Sequence, residues 1–194
     1  GSEMCIRDRS YVNSVYLSQH DVNVIYVAFN HHKYGDFKPY IFKSSDRGNS
    51  WVSISSNLPI RGSVYSIEED HVDSNLIFCG TEFGVFFSPD SGGNWKELAN
   101  GLPTIAVRDI AIQRRENDLV LGTFGRGFYV LDDYSVLRSI ENSEKDTAAQ
   151  IFDVRDALMW EKANPLGLPG KAFQGDNFYL AENLDPVAIF TYNF

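Results

Sequence analysis

The chain has 194 residues, 43% of them hydrophobic, enough for one ordinary domain with a buried core. Seventeen Lys and Arg stand against 26 Asp and Glu, a net charge of −9. That balance argues against a non-specific nucleic-acid binder, which needs a basic face. No apolar run approaches the roughly 20 residues of a membrane-spanning helix, and two Cys cannot make a disulfide framework. Fourteen Phe, 10 Tyr, 3 Trp and 15 Gly lean toward strands and tight turns, so the expected class is all-β.

In chain order, residues 1–10 come first and read as foreign to the fold. Glu3-Met4-Cys5-Ile6-Arg7-Asp8-Arg9 resembles the in-frame translation of a transposase adaptor used in sequencing libraries, which points to an assembly artefact in environmental sequence. Setting these residues aside removes Cys5, leaves Cys79 as a buried thiol in an apolar strand, and keeps the charge at −9. The native N-terminus is then expected to be missing, so the lack of a leader peptide carries no information about compartment.

A repeat follows. Ser44-Ser45-Asp46-Arg47-Gly48-Asn49-Ser50-Trp51 recurs as Ser88-Pro89-Asp90-Ser91-Gly92-Gly93-Asn94-Trp95, and Asp46 to Asp90, Trp51 to Trp95 and Leu58 to Leu102 are all 44 apart. A degenerate third copy keeps Gly122-Thr123, Gly127-Phe128-Tyr129-Val130 and Asp133 but loses the Gly and Trp of the motif. Each unit reads as four short strands divided by turn residues. In the second these are Ser63–Glu69, the nearly all-apolar Asn75–Gly80, Gly84–Ser88 and Trp95–Ala99. Four antiparallel strands per 40–45 residues describe one blade of a β-propeller. Residues 11–138 are therefore expected to form three blades: Val12 to Asn57, Ser63 to Asn100, and Ala106 to about Leu137.

Residues 139–172 are read as a last-strand and linker segment. Gln150–Trp160 is placed as a strand or short helix able to supply the outer strand the third blade lacks, and Asn164-Pro165-Leu166-Gly167-Leu168-Pro169-Gly170 as a breaker-rich connector. Residues 173–194 are read as a new unit. Val187–Phe194 alternates, with Phe190, Tyr192 and Phe194 on one face, and left unpaired it is an aggregation hazard.

Ser-x-Asp-x-Gly-x-x-Trp resembles the Asp-box, or bacterial neuraminidase repeat. Gly122-Thr123-Phe124-Gly125-Arg126-Gly127-Phe128-Tyr129-Val130-Leu131-Asp132-Asp133 resembles the last-blade signature of large bacterial secreted proteins labelled glycosyl hydrolase or sortilin-like. The resemblance covers about residues 11–194. It implies a secreted or periplasmic parent, and an immunoglobulin-like β-sandwich beginning near residue 173. Three blades do not close a ring of the usual four to eight or so. The chain is expected to be a fragment, completed by the rest of its own propeller.

The motif residues Ser44, Asp46, Gly48, Trp51, Ser88, Asp90, Gly92 and Trp95 are expected to be structural. The Asp accepts backbone N–H groups across a turn, and the Trp folds into the layer between blades. One carboxylate per loop falls short of the six or so oxygens calcium takes, so no metal and no cofactor is expected.

Turns between second and third strands share a face with the blade connections, and in Asp-box enzymes that is the substrate face. There the chain places His31, His32, Tyr34, Asp36 and Phe37 in a loop longer than its counterparts, together with Thr81-Glu82-Phe83 and Phe124-Gly125-Arg126. Rings, imidazoles and one carboxylate suit stacking on a sugar or docking of a protein, against a competing reading as a solvated insertion. Asp36 and Glu82 are the only acid-pair candidates for glycoside hydrolysis, which needs two carboxylates about 5–10 Å apart. Arg61, Arg108 and Arg126 come from positions a sialidase would use, but the Tyr–Glu pair and the Arg-Ile-Pro run of sialidases are missing. Arg126, between two glycines, is read first as capping a tight turn. Glu68-Glu69-Asp70 and the His20-Asp21 turn fall on the opposite face and are read as solvated charges.

The resulting expectation is a non-catalytic scaffold and recognition surface for extracellular glycan or peptide, without nucleic acid or membrane span. The alternative is part of a xyloglucanase-like or sialidase-like glycoside hydrolase whose acid pair lies largely in missing blades.

Overall fold

The computed structural model describes residues 10–140, 149–157, 159 and 187–193. Residues 1–9 of the adaptor-like segment 1–10, the connector 164–170, and residues 173–186 and 194 of the segment read as the start of a sandwich lie outside the described residues. The chain divides into two compact units, Gly1–Lys145 and Asp146–Phe194.

The first unit holds three antiparallel sheets. β1 (Tyr11–Leu17), β2 (Ile25–His31), β3 (Asp36–Ser44) and β4 (Val52–Ser53) form the first, in chain order. The second repeats the pattern with β5 (Val64–Glu69), β6 (Ile77–Thr81), β7 (Val85–Ser88) and β8 (Lys96–Glu97). The third has β9 (Val107–Gln113), β10 (Asp118–Thr123) and β11 (Phe128–Leu131), with no fourth strand among the described residues. Sequential hairpins of this kind are blades of an incomplete β-propeller.

Two cores separate the sheets. Tyr26, Ala28 and Ile41 of the first sheet pack with Val64, Ile67, Ile77, Cys79, Phe86 and Trp95 of the second. The opposite side of the second sheet, with Leu76, Phe78, Val85 and Phe87, packs on Val107, Ile110, Leu119 and Leu121 of the third. This explains why the Asn75–Gly80 stretch does not alternate: successive side chains point to opposite faces, and here both faces are interior. Full burial of a side chain such as Phe78 is worth about 1.5–3 kcal/mol. Cys79 lies in this doubly covered strand, and burial pushes its thiol well above the ordinary range.

The two repeated loops close alike. Ser50 N–H donates to Asp46 Oδ1 at 2.8 Å, and Gly48 N–H to Ser44 Oγ at 2.8 Å. In the second loop Asn94 N–H donates to Asp90 Oδ1 at 2.7 Å and Gly92 N–H to Ser88 Oγ at 2.8 Å. The Ser50 hydroxyl and N–H, with the Ser44 hydroxyl, hold the Asp46 carboxyl down at about 2. Gly48 and Gly92 have φ of 89° and 94°, a region costly for residues with a Cβ. Arg47 and Ser91 donate their N–H groups to the Asn23 and Asn75 carbonyls, tying each loop to the β1–β2 or β5–β6 turn on the same face.

Three expectations change. Gln150–Ile151 (β12), read as able to supply an outer strand to the third blade, has Tyr192–Asn193 (β13) as its partner in a two-stranded sheet of the second unit. Asp133 closes no repeat loop. It accepts from Ser135 N–H and Oγ and starts a 3₁₀ segment, Tyr134–Ser139, that buries Tyr134 and Leu137 in the second core.

Glu69 and Asp70 are buried, not solvated. Glu69 accepts from Ser18 Oγ, Gln19 N–H and the Tyr26 hydroxyl of the first sheet. Asp70 accepts from Arg138 Nε at 2.7 Å and Nη2 at 2.8 Å, and from the Tyr134 hydroxyl. Burial alone would raise the Asp70 carboxyl. The bonds from Arg138, Tyr134 and the Asp73 N–H outweigh it and bring it to about 2. These neighbouring acids clamp the middle sheet to the first sheet and to the chain that leaves the third.

Candidate recognition face

The end opposite the repeated loops is assembled by backbone bonds. Gly62 N–H donates to Phe37 O, Glu82 N–H to Ser63 O, and Phe124 N–H to Ala106 O, at 2.9–3.0 Å. The β2–β3, β6–β7 and β10–β11 turns therefore share a face with the connections between sheets. No described helix is long and apolar enough to cross a membrane.

The long first loop is a 3₁₀ turn, His32–Tyr34, ended by Gly35 at φ 73°. His31 stacks on Tyr34, with ring centroids 4.4 Å apart, and its Nδ1 lies 3.1 Å from Ser10 Oγ. His32 leans on Phe37 at 5.1 Å, and its Nε2 is 2.6 Å from the buried Ser63 hydroxyl, just before the second sheet begins. The adjacent imidazoles thus serve different neighbours. Among the described residues no three His, Cys, Asp or Glu gather as a metal would require. A cleft of about 280 Å³ lies among Ser10, Tyr11, Asn30 and His31–Tyr34.

Asp36 faces His31 across the hairpin, and its carboxylate accepts from the Tyr40 hydroxyl at 2.6 Å and Lys38 N–H at 3.2 Å. Partial burial pushes its pKa up. The two bonds and the charges of Lys38 and His31 leave it below the usual carboxylate range. Burial and the bond to Asp36 raise the Tyr40 phenol to about 12.

The centre of the face depends on a feature that motif reading missed. The first strand of each sheet carries a register shift near its start, skipping Asn13, Tyr65 and Arg108 in turn. Such bulges re-aim a side chain. Asn13 Nδ2 reaches the Val64 carbonyl of the next sheet, and Asn30 supports it by donating to Asn13 Oδ1 at 2.6 Å. Arg108 lies 3.7 Å over the Tyr65 ring and 5.3 Å from the Phe124 ring, a cation–π arrangement spanning two sheets. Burial raises the Tyr65 phenol; the Arg108 charge opposes the shift and Glu82 adds to it.

Arg61 lies 5.8 Å over Phe37. A second cleft, of about 220 Å³, includes Arg61, Gly62, Thr81 and Phe83. Arg126 is exposed between Gly125 and Gly127, both at positive φ. The Thr123 hydroxyl, donating to Gly127 O at 2.7 Å, closes that turn, and the Arg126 side chain does not.

No family model and no curated protein matches the chain. Among solved structures it is similar to the GH74 enzyme of Niastella koreensis, with a TM-score of 0.54 at 18% identity over 63% of this chain. The chain spans 21% of that enzyme's length. It is also similar to the GH74 xyloglucanase from Xanthomonas campestris, at TM-score 0.45 and 16% identity, covering 56% of this chain and 18% of that one. YCF48, solved bound to D1 peptide, gives 0.43 at 18% identity, covering 66% and 42%. At these identities the first likeness supports the propeller fold and nothing finer.

Proposed function

We propose that the chain is part of a secreted or periplasmic Asp-box propeller of the glycosyl hydrolase or sortilin-like group. Its turn-and-connection face binds an extracellular glycan or peptide without turning it over. The observation that carries this reading is the Arg108 guanidinium, 3.7 Å over the Tyr65 ring and 5.3 Å from the Phe124 ring. On the same face Phe37, under Arg61, and Phe83 are also exposed, offering rings and donor edges of the kind sugar and peptide recognition both use. The tethered, readily ionised Asp36 supports the non-catalytic part. A glycosidase general acid needs a raised pKa, and Asp36 is shifted the other way, which argues against that one role; an ionised carboxylate still suits a nucleophile or base. On this reading the rest of the propeller completes the ring.

The second reading makes the chain a scaffold portion of a xyloglucanase-like or sialidase-like hydrolase, with its acid pair mainly in other blades. It draws on the likeness of fold to the GH74 enzyme.

The test is a panel of plant and bacterial polysaccharides and extended peptides, scored for binding by the full chain and for new reducing ends. Binding without new ends, weakened at least about tenfold by Arg108→Ala, is expected for a stacked cationic anchor. No binding across the panel contradicts the recognition reading. Release of reducing ends that Asp36→Asn or Glu82→Gln abolishes contradicts the non-catalytic one.

A further inference from the structure

We propose that the cleft beside the connection from the first sheet to the second holds an extended peptide segment, with an apolar side chain flanked two residues to either side by one acidic and one basic residue. This rests on the recognition reading of the turn-and-connection face and names the ligand for one of its clefts.

The cleft, of about 220 Å³, is built from parts of the fold that are present. Leu58, Arg61 and Gly62 come from the connection that precedes the second sheet, Phe83 from the β6–β7 turn, Phe86 from β7 and Glu97 from β8. The second sheet has all four of its strands, so the cleft does not arise from an unfilled strand position.

Its interior is apolar. Leu58 and Phe86 belong to the first core and are 6% and 8% exposed. Phe83 is 45% exposed, and a Cβ at Gly62 would come within 3.1 Å of its ring, so the ring lies against the Gly62 backbone and forms a wall. The space suits one aliphatic side chain, whose burial supplies the affinity.

The rim carries one charge of each sign. Arg61 leans toward the first sheet, with its guanidinium 5.8 Å over the Phe37 ring. The Glu97 carboxylate lies against the second sheet, 3.6 Å from where a Cβ on Gly84 would be. Both are exposed, and neither is in an ion pair with the other or with any other group among the described residues. A neutral sugar ring would leave both without a counter-ion. A peptide with one acid and one base supplies both. In an extended segment alternate residues share a face, so an acid, an apolar residue and a base at every second position meet the cleft together. Exposed pairs of this kind select the partner more than they tighten it.

The test titrates acetyl-Glu-Ser-Leu-Ser-Lys-amide into the full chain and follows the Phe83 and Glu97 amides by NMR. Saturable shifts are expected. Replacing Leu with Ala should weaken binding about tenfold. Moving Leu one place, as Glu-Leu-Ser-Ser-Lys, should weaken it as well, because the same composition then turns Leu away from the cleft. Gln at both charged positions should cost at least about threefold, a difference that closes in about 1 M salt. Arg61→Glu is expected to prefer Lys-Ser-Leu-Ser-Lys over the probe, and Glu97→Arg to prefer Glu-Ser-Leu-Ser-Glu. Both substitutions lie at exposed positions and should leave the melting temperature unchanged.

Absence of saturable binding overturns the proposal, as does a charge preference that neither reversal alters. Shifts at Phe83 and Glu97 caused by a neutral oligosaccharide and not by the probe assign the cleft to glycan. That result overturns the proposal and leaves the recognition reading in place, whereas failure of the probe together with the whole polysaccharide and peptide panel removes both.

Discussion

Trp51 and Trp95 end the same eight-residue loop, and the Ser, Asp and Gly bonds within the two loops agree to within 0.1 Å. Their surroundings differ. Trp95 is buried against the first sheet and donates to Ile54 O. Trp51 is only half-buried, and its indole turns back to the Gly48 carbonyl of its own loop.

The strands follow suit. Val64, Ile67 and Glu69 of β5 are 0%, 3% and 2% exposed, while their register equivalents Val12, Val15 and Leu17 in β1 are 45%, 60% and 66% exposed. The loop is therefore a local turn device that works wherever it is placed. The energetic weight of its Trp is set by whether another sheet lies in front of it.

Substitution sharpens this contrast, and the largest effects belong to the middle sheet. Trp95→Ala is expected to cost about 3–5 kcal/mol in urea unfolding, whereas Trp51→Ala costs about 1 kcal/mol or less. Comparable losses for both would mean that the neighbouring sheet does not matter.

Asp70→Ala is expected to cost about 3 kcal/mol, because it strands the Arg138 guanidinium and the Tyr134 hydroxyl that it now satisfies. The contribution depends on pH. A carboxyl at about 2 in the fold and about 3.9 unfolded stabilises fully above pH 4 or so, and that stabilisation is lost as pH falls toward 2. Acid melts of wild type and variant should therefore converge near the lower end of that range.

A smaller difference separates two glycines. A Cβ at Gly92 would meet Ile54 side-chain atoms at 2.8 Å, while at Gly48 the nearest atom is Trp51 at 3.5 Å. Both sit at positive φ, so Gly48→Ala should cost about 1 kcal/mol and Gly92→Ala roughly 2 kcal/mol.

The smallest effect is at Glu68. Burial first, then Asp109 and Glu69, raise its carboxyl to about 7, with Arg114 opposing. Raised above its unfolded value, it costs stability as pH climbs from about 4.5 through 7. Glu68→Gln should melt slightly higher than wild type at pH 8 and at the same temperature at pH 4.

How much of this was readable from the residues varied with distance along the chain. The repeated loop encodes its own turn, since Ser44, Asp46 and Gly48 interact within five positions, so both loops and the hairpins around them could be drawn from spacing alone. Burial of Glu69 and Asp70 was not readable. Their partners Ser18 and Arg138 lie 51 and 68 positions away, and an acidic triplet looks the same in sequence whether solvated or clamped.

The proposed recognition face was half visible. Its loops were placed by strand order, but Tyr65 went unnoticed, because a bulge is a mismatch between two strands and leaves no mark in one of them. Likewise, nothing within Gln150–Ile151 itself marks Tyr192–Asn193 as its partner.

The central claim is that the middle sheet, covered on both faces, anchors the loops of the proposed recognition face. Native-state hydrogen exchange of the full chain tests it most directly. The account predicts that the β6 amides, from Ile77 to Thr81, exchange last, at the global unfolding free energy, with β2 and β10 opening earlier from their uncovered sides. If β2 or β10 exchanges as slowly as β6 or more slowly, the middle sheet is not the anchor and the account fails.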